Sequence, residues 1–260
     1  MRLAAGIEYD GSRFHGWQAQ GDVRTVQECL EAALSRVADG PVRVQCAGRT
    51  DTGVHATGQI VHFDSVARRE PRNWLLGANV NLAKDMNLLW VKPVDDAFNA
   101  RFSATGRAYR YVILNRESRS GLLHGRVTWM RRRLDVERMN RAARVLLGEH
   151  DFSSYRALGC QAKSPVREIR RLTLRRHGDF VVMDIEANAF LHHMVRNIIG
   201  VLAAIGRGDA AVSWAAEILA MRDRRRGGVT AKPDGLYMVR VDYPACFGIP
   251  VGEAPVFWTS

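Results

Sequence analysis

Along the chain the apolar positions alternate between a two-residue and a 3.6-residue period, and each change of period marks an element. "LAAGIEY" (3 to 9) reads as a strand. "TVQECLEAALSRVADG" reads as a helix: Thr25 and Glu28 have capping-box spacing, and Val26, Leu30, Ala33, Leu34 and Val37 fall on one face. The strands "VRVQCA" (42 to 47) and "GQIVHFD" (58 to 64) follow, then a helix opened by Pro71 that carries Trp74, Leu75 and Val80. From residue 107 the same order returns without a sequence repeat: strand "RAYRYVILN" (107 to 115), helix "DVERMNRAARVLLG" (135 to 148), and strands "REIRRLTLRR" (167 to 176) and "DFVVMDIEA" (179 to 187). A turn at His177 and Gly178 joins that pair, and the helix "FLHHMVRNIIGVLAAIG" (190 to 206) comes next, its buried stripe formed by Leu191, Val195, Ile198, Ile199 and Leu202. "GLYMVRVDY" (235 to 243) reads as a last strand closing one edge.

Strand-helix-strand-strand-helix, twice, predicts an α+β fold of two ferredoxin-like halves. Their sheets are expected to join into one broad antiparallel sheet, with helices on one face and a basic central cleft on the other. The halves divide as 1 to 100 and 101 to 260, with residues 93 to 105 as the junction.

Composition adds the partner. A net charge of +11 rests on 34 Arg against four Lys, and the planar guanidinium fork suits phosphates, so a polyanion such as a nucleic acid is expected. Cys29, Cys46, Cys160 and Cys246 lie far apart without a CxxC pair, which points to reduced thiols and away from zinc or a disulfide framework. No apolar run approaches membrane-spanning length, so a cytoplasmic protein with no membrane contact is expected.

The candidate chemistry centres on "AGRTDTGVHATGQIVHF" (47 to 63). Its glycines have the spacing of a phosphate-binding P-loop, but Val54-His55 stands where Lys-Ser/Thr is required, which rejects a nucleotide cofactor. Asp51 then reads two ways: as a turn former bonded to nearby backbone, or as a nucleophile kept ionised by Arg49 or by Arg196 of the later helix. His192 and Arg196 share a helix face at spacing four, and the His192-His193 pair lacks a third ligand, so no metal is expected. "FNARFSATGRAYRYVI" (98 to 113) interleaves Phe98, Phe102, Tyr109 and Tyr111 with Arg101, Arg107 and Arg110, a pattern open between RNA contact and a half-buried strand. The Arg-rich "RDRRRGG" (222 to 228) reads as a mobile, solvated loop.

Seven stretches in one order, "IEYDGSRFHGWQ", "TVQECLEAAL", "AGRTDTGVHATGQIVHF", "NARFSATGRAYRY", "GEHDFSSYRA", "FLHHMVRNIIG" and "DGLYMVRVDYP", make the chain similar to the tRNA pseudouridine synthase A family from end to end. The resemblance implies isomerisation of uridine to pseudouridine at positions 38, 39 and 40 of the tRNA anticodon arm, without metal or cofactor, by a homodimer. It implies Asp51 as the catalytic carboxylate, Arg49 as the side chain that enters the stack vacated by the flipped base, and Tyr109 as the platform for that base. Arg196 becomes the partner of the carboxylate. RNA contacts fall on Phe98, Asn99, Ala100, Arg101 and Phe102, and on Gly159, Cys160, Gln161, Ala162 and Lys163. His55 and His62 receive no catalytic role. Two other classes compete: a non-catalytic RNA-binding module, which has no need of Asp51, Tyr109 and Arg196 together, and aspartyl-phosphate chemistry, which needs magnesium carboxylates that the sequence does not show.

Overall fold

The computed structural model describes residues 1–251, and the chain divides into two compact units. Of the described residues, unit 1 is Met1–Thr105 together with residues 237–251, and unit 2 is Gly106–Leu236. The C-terminal strand therefore packs with the first half, whereas a division at residue 100 assigns it to the second.

Unit 1 begins with β1 (Arg2–Tyr9), α1 (Val26–Ala38), β2 (Val44–Cys46), β3 (His55–Asp64), α2 (Pro71–Asn81) and β4 (Met86–Pro93). β4 completes the ferredoxin-like βαββαβ order and has no counterpart in the sequence reading. The segment "MNLLWVKP" buries Met86, Leu88 and Val91, and the break in its alternation at Leu89 and Trp90 hides it from a period-two search. β1 lies antiparallel between β4 and β3. The other side of β3 is shared by β2 and by β10 (Leu236–Asp242), which runs parallel to it with Tyr237 opposite His55. This parallel pairing makes the otherwise antiparallel strand set of unit 1 mixed. Thr25 caps α1 as its spacing requires, its Oγ1 accepting from the Glu28 N–H at 3.4 Å. Val26, Leu30, Ala33 and Leu34 are buried, and Phe63 of β3 meets Trp74 of α2 edge to face at 5.1 Å. Val80, expected on the apolar side of α2, is 85% exposed.

Unit 2 holds β5 (Gly106–Leu114), β6 (Thr128–Trp129), α3 (Val136–Ala143), β7 (Gly148–Asp151), β8 (Val166–His177), β9 (Phe180–Ala187), α4 (Met194–Gly206) and α5 (Trp214–Met221). The order β5-β9-β8-β7 is antiparallel, and β6 adds to β5 in parallel. The hairpin turn falls on Gly178-Asp179, one residue later than expected, because His177 already pairs with Phe180. Val195, Ile198, Ile199 and Leu202 are buried as their spacing demands, and Leu191, ahead of the helix, is buried as well. α4, however, starts at Met194 and not at Phe190: His193 sits in the left-handed region at φ 60° and turns the chain into the helix.

Candidate active site

The loop carrying Asp51 joins β2 to β3, and its first residues are held by β3. The Ala47 N–H donates to the Ile60 carbonyl at 2.8 Å, and the Gln59 side-chain amide donates to the Gly48 carbonyl at 2.7 Å. The middle is held by the stretch that follows β1. Tyr9 and Thr50 share a buried hydroxyl hydrogen bond of 2.8 Å, the Trp17 N–H donates to the Thr50 carbonyl at 3.0 Å, and the Gly53 N–H donates to the Phe14 carbonyl at 3.3 Å. The Val54 N–H donates to the Asp51 carbonyl at 3.1 Å and closes the turn. Asp51 is left half-buried on a backbone fixed on both sides, and Arg49 is exposed two residues before it.

Two glycines allow this bracing. A Cβ on Gly11 would stand 2.0 Å from the Val54 carbonyl oxygen, and one on Gly16, whose φ is +83°, would stand 2.9 Å from the Thr50 carbonyl oxygen and 3.1 Å from the Thr52 nitrogen. Around them Tyr9, Phe14 and Trp17 are buried against one another. Arg24 pins the brace: it donates to both oxygens of Asp85 at 2.7 Å, covers the Phe14 ring at 4.1 Å, and accepts from the His15 N–H through its carbonyl at 2.9 Å. That guanidinium holds the Asp85 carboxyl below the usual carboxylate range. Burial pushes the Tyr9 phenol up and the Cys46 thiol to about 12, so both stay neutral beside the loop. The functional weight of Gly11 and Gly16 escapes the sequence reading; the one available signal is their interleaving with aromatics in "YDGSRFHGW".

His55, at the start of β3, accepts from the Gly11 N–H through Nδ1 at 3.0 Å and stacks on Tyr237 at 4.6 Å. His62 accepts from the Ala100 N–H at 3.1 Å, and burial lowers its pKa, with the charge of Arg2 adding to the effect. Both are framework residues of unit 1. The segment 98 to 102 is split by this packing. Phe98 and Ala100 are fully buried, Phe98 against His62, Tyr243 and Phe247. The Asn99 carboxamide oxygen accepts from the Arg101 and Phe102 N–H groups and turns those two outward, with Phe102 77% exposed and the Arg101 guanidinium over its ring.

Asp51, Arg49 and residues 98–102 belong to unit 1; Tyr109, Arg196 and residues 159–163 belong to unit 2. Tyr109 lies on β5 opposite Ile185, 9% exposed, with its ring edge-on to Phe190 at 5.0 Å. Tyr111 shares its face but is fully buried and donates to the Lys232 carbonyl at 2.7 Å, so of the two only Tyr109 retains exposed surface. On the other face Arg110 pairs with Asp184 across the ladder at 2.8 Å. Arg196, in the first turn of α4, donates from Nε to the Ala231 carbonyl at 2.8 Å, while the Ala231 N–H donates to the Arg196 carbonyl at 3.1 Å. This clamp fixes the guanidinium on the stretch before β10. Because α4 begins at Met194, His192 does not share a helical face with Arg196; its ring lies 4.0 Å from that of His193. In the connection leading to β8, Gly159, Gln161 and Lys163 are exposed and Cys160 and Ala162 half-buried.

The turn 222 to 228 is tied down. Arg224 donates to Asn197 Oδ1 at 3.1 Å and to Thr230 Oγ1 at 2.9 Å, Asp223 accepts from the Arg225 N–H at 3.0 Å, and Arg222 lies 3.7 Å from Asp151. Arg224 is committed to Asn197, a partner that its own segment does not show, while Arg225 and Arg226 stay exposed as the sequence reading expects.

An α+β fold, a carboxylate on a braced loop and a net charge of +11 fit an enzyme that acts on RNA. The tRNA pseudouridine synthase family matches residues 5–103 and 142–244, and the chain belongs to that family. It is 58% identical over 256 residues to a tRNA pseudouridine synthase A of Nitrosococcus oceani, covering 98% of this chain and 99% of that one. Identity to the tRNA pseudouridine synthase A of Vibrio cholerae is 55% over 98% and 96% of the two chains, and to that of Methylococcus capsulatus 58% over 96% and 92%. The protein is accordingly an isomerase that converts uridine in tRNA to pseudouridine. Among the described residues no helix is long and apolar enough to cross a membrane.

Proposed function

We propose that the protein isomerises uridines 38, 39 and 40 in the anticodon arm of tRNA, with Asp51 as its catalytic carboxylate. The observation that carries this reading is the bracing of the 47 to 54 loop: hydrogen bonds to Thr50 and Gly53 hold the backbone on either side of Asp51 while its side chain keeps exposed surface. In the reaction the bond from N1 of uracil to C1′ of the ribose breaks, the base turns over, and a bond from C5 to C1′ forms. Atoms and electrons balance within the nucleotide, so no donor, acceptor or hydrolytic water is consumed. Asp51 either attacks covalently or removes a ribose proton.

A base paired in a stem is unreachable and is flipped out at a cost of a few kcal/mol. The exposed Arg49 fills the vacated stack, Tyr109 supports the base with the part of its ring left uncovered by Phe190, and Arg196 pairs with the carboxylate. Arg101 and Phe102 contact the RNA directly, with Phe98, Asn99 and Ala100 holding them; Gly159, Cys160, Gln161, Ala162 and Lys163 form a second contact segment. The enzyme works as a cytoplasmic homodimer.

Incubation with an unmodified tRNA transcript, followed by carbodiimide-dependent primer extension, tests position and reaction together. Stops at 38 to 40 are expected with the native protein and none with Asp51→Asn, whose tRNA affinity stays within a few fold. Near-normal turnover by Asp51→Asn in a tritium-release assay would falsify the assignment.

A further inference from the structure

Unit 2 carries a second cationic feature that the reaction does not use. Directly after β5 the chain enters a concavity of about 430 Å³ lined by Asn115, Arg116, Glu117, Arg131, Arg132, Arg133 and Asp179, without one apolar side chain. Most ligand pockets are predominantly apolar. This one sets four guanidiniums against two carboxylates and so favours an anion.

The arginines are not equally committed. Arg132 is bound to Asp209 at 2.7 Å and to the Arg207 carbonyl at 2.9 Å, and Arg116 lies 3.6 Å from Asp179. Arg131 pairs with Glu117, both well exposed, an arrangement of small net value that an incoming anion can replace. Arg133 is exposed and makes no hydrogen bond or ion pair among the described residues. Behind it Arg176 donates to Asn115 Oδ1 at 2.7 Å and to the Leu134 carbonyl at 2.9 Å. Burial lowers the pKa of Arg176, and the like charge of Arg133 lowers it further. Asn115 gives the floor its shape: its amide donates to the Met130 and Arg132 carbonyls and its oxygen accepts from the Leu134 N–H, so the three consecutive arginines are displayed on a fixed backbone.

We propose that this concavity binds backbone phosphates of the RNA substrate, with Arg131 and Arg133 as the principal contacts. An RNA strand is favoured over free polyphosphate by Trp129, which is 42% exposed and fixed at the rim by donation from its indole N–H to the Arg116 carbonyl at 2.9 Å. An exposed aromatic beside arginines offers a stacking face for a base as well as a grip for its phosphate. Asn115 lies six residues beyond Tyr109 on the same strand direction, or about 20 Å at the usual rise, on the order of one RNA duplex width. The site therefore engages RNA well away from the base supported by Tyr109. The inference rests on tRNA being the substrate.

The test uses the full chain with Arg131→Gln/Arg133→Gln and Arg133→Lys, the native melting temperature serving as a check on folding. With an unmodified tRNA transcript, the double variant is expected to bind about tenfold more weakly at moderate salt, with the slope of log affinity against log salt reduced by roughly 1 to 2. Turnover at saturating tRNA stays unchanged, and Arg133→Lys retains the salt slope because it keeps the charge. Unaltered tRNA affinity and slope in the folded double variant overturn the proposal. So does loss of thermal protection by inorganic tripolyphosphate with tRNA binding intact, which would make this a site for free polyphosphate. Absence of isomerase activity in the native protein would instead contradict the functional reading, and the binding comparison would still be interpretable.

Discussion

Replacing Gly16 by alanine adds one methyl group at the place where the 9 to 17 stretch supports the Asp51 loop. That Cβ would lie 2.9 Å from the Thr50 carbonyl oxygen, 3.1 Å from the Thr52 nitrogen and 3.2 Å from the Asp51 carbonyl carbon, all of them backbone atoms that no rotamer change can move aside. The φ of +83° adds a conformational cost of about 1–2 kcal/mol for a residue with a side chain. Overpacking against fixed atoms costs about 1–3 kcal/mol more, for a total of roughly 2–5 kcal/mol if the loop holds its position. If the loop yields, stability recovers in part but Asp51 moves, and a displacement on the order of 1 Å at a catalytic group costs about a hundredfold in rate. Thermal unfolding and tritium release on the same sample separate the two. The expected outcome is a melting temperature lowered by roughly 5–15 °C, a turnover number reduced by at least tenfold, or both. Gly40→Ala is the control, since its Cβ would meet nothing within 4 Å. Should Gly16→Ala match the native protein in both measurements, the bracing of Asp51 by this stretch is not a functional constraint.

Tyr9→Phe removes the buried hydrogen bond to Thr50 Oγ1, and a loss of about 1–2 kcal/mol by denaturant titration is expected, with turnover falling more than substrate affinity. Asp184→Asn leaves the side chain of Arg110, 11% exposed, without its charge partner and is expected to destabilise unit 2 by about 2–3 kcal/mol; an unchanged denaturation midpoint would contradict it. Asp85 has its folded pKa depressed by Arg24, so its contribution is fully present above the unfolded value of about 4 and is lost as pH falls through the folded value. Asp85→Asn should therefore lower the melting temperature near neutral pH and flatten its fall below pH of about 4, leaving the part of that limb that comes from the other carboxylates held low, Asp64 and Asp151 among them. A melting curve as acid-sensitive as the native one would remove Asp85 from the acid limb.

The elements that local chemistry fixes were legible. The Thr25 cap, the Pro71 start and the Val195 to Leu202 stripe all depend on residues within a few positions of one another, and each forms where its spacing places it. The Asp51 loop was legible as an unusual stretch, but its own residues left it open between turn and catalyst. α4 shows the limit of periodicity: the apolar pattern runs back to Phe190, yet His193 in the left-handed region ends the helix at Met194 and dissolves the face that His192 and Arg196 were expected to share.

What the sequence by itself determined is the family, the α+β class, the cationic character and the identity of the carboxylate worth testing, because these reside in residue types and short spacings. Only the tertiary structure decided that Thr50 is held by Tyr9, 41 residues earlier, that Arg24 locks the brace through Asp85, 61 residues later, and that β10 returns to lie parallel beside β3. It also decided that Phe98 and Ala100 are packing while Arg101 and Phe102 are surface. Pairings of this kind form between segments distant along the chain, where geometry and exclusion of water select the partner, and no periodicity within either segment records which one it meets.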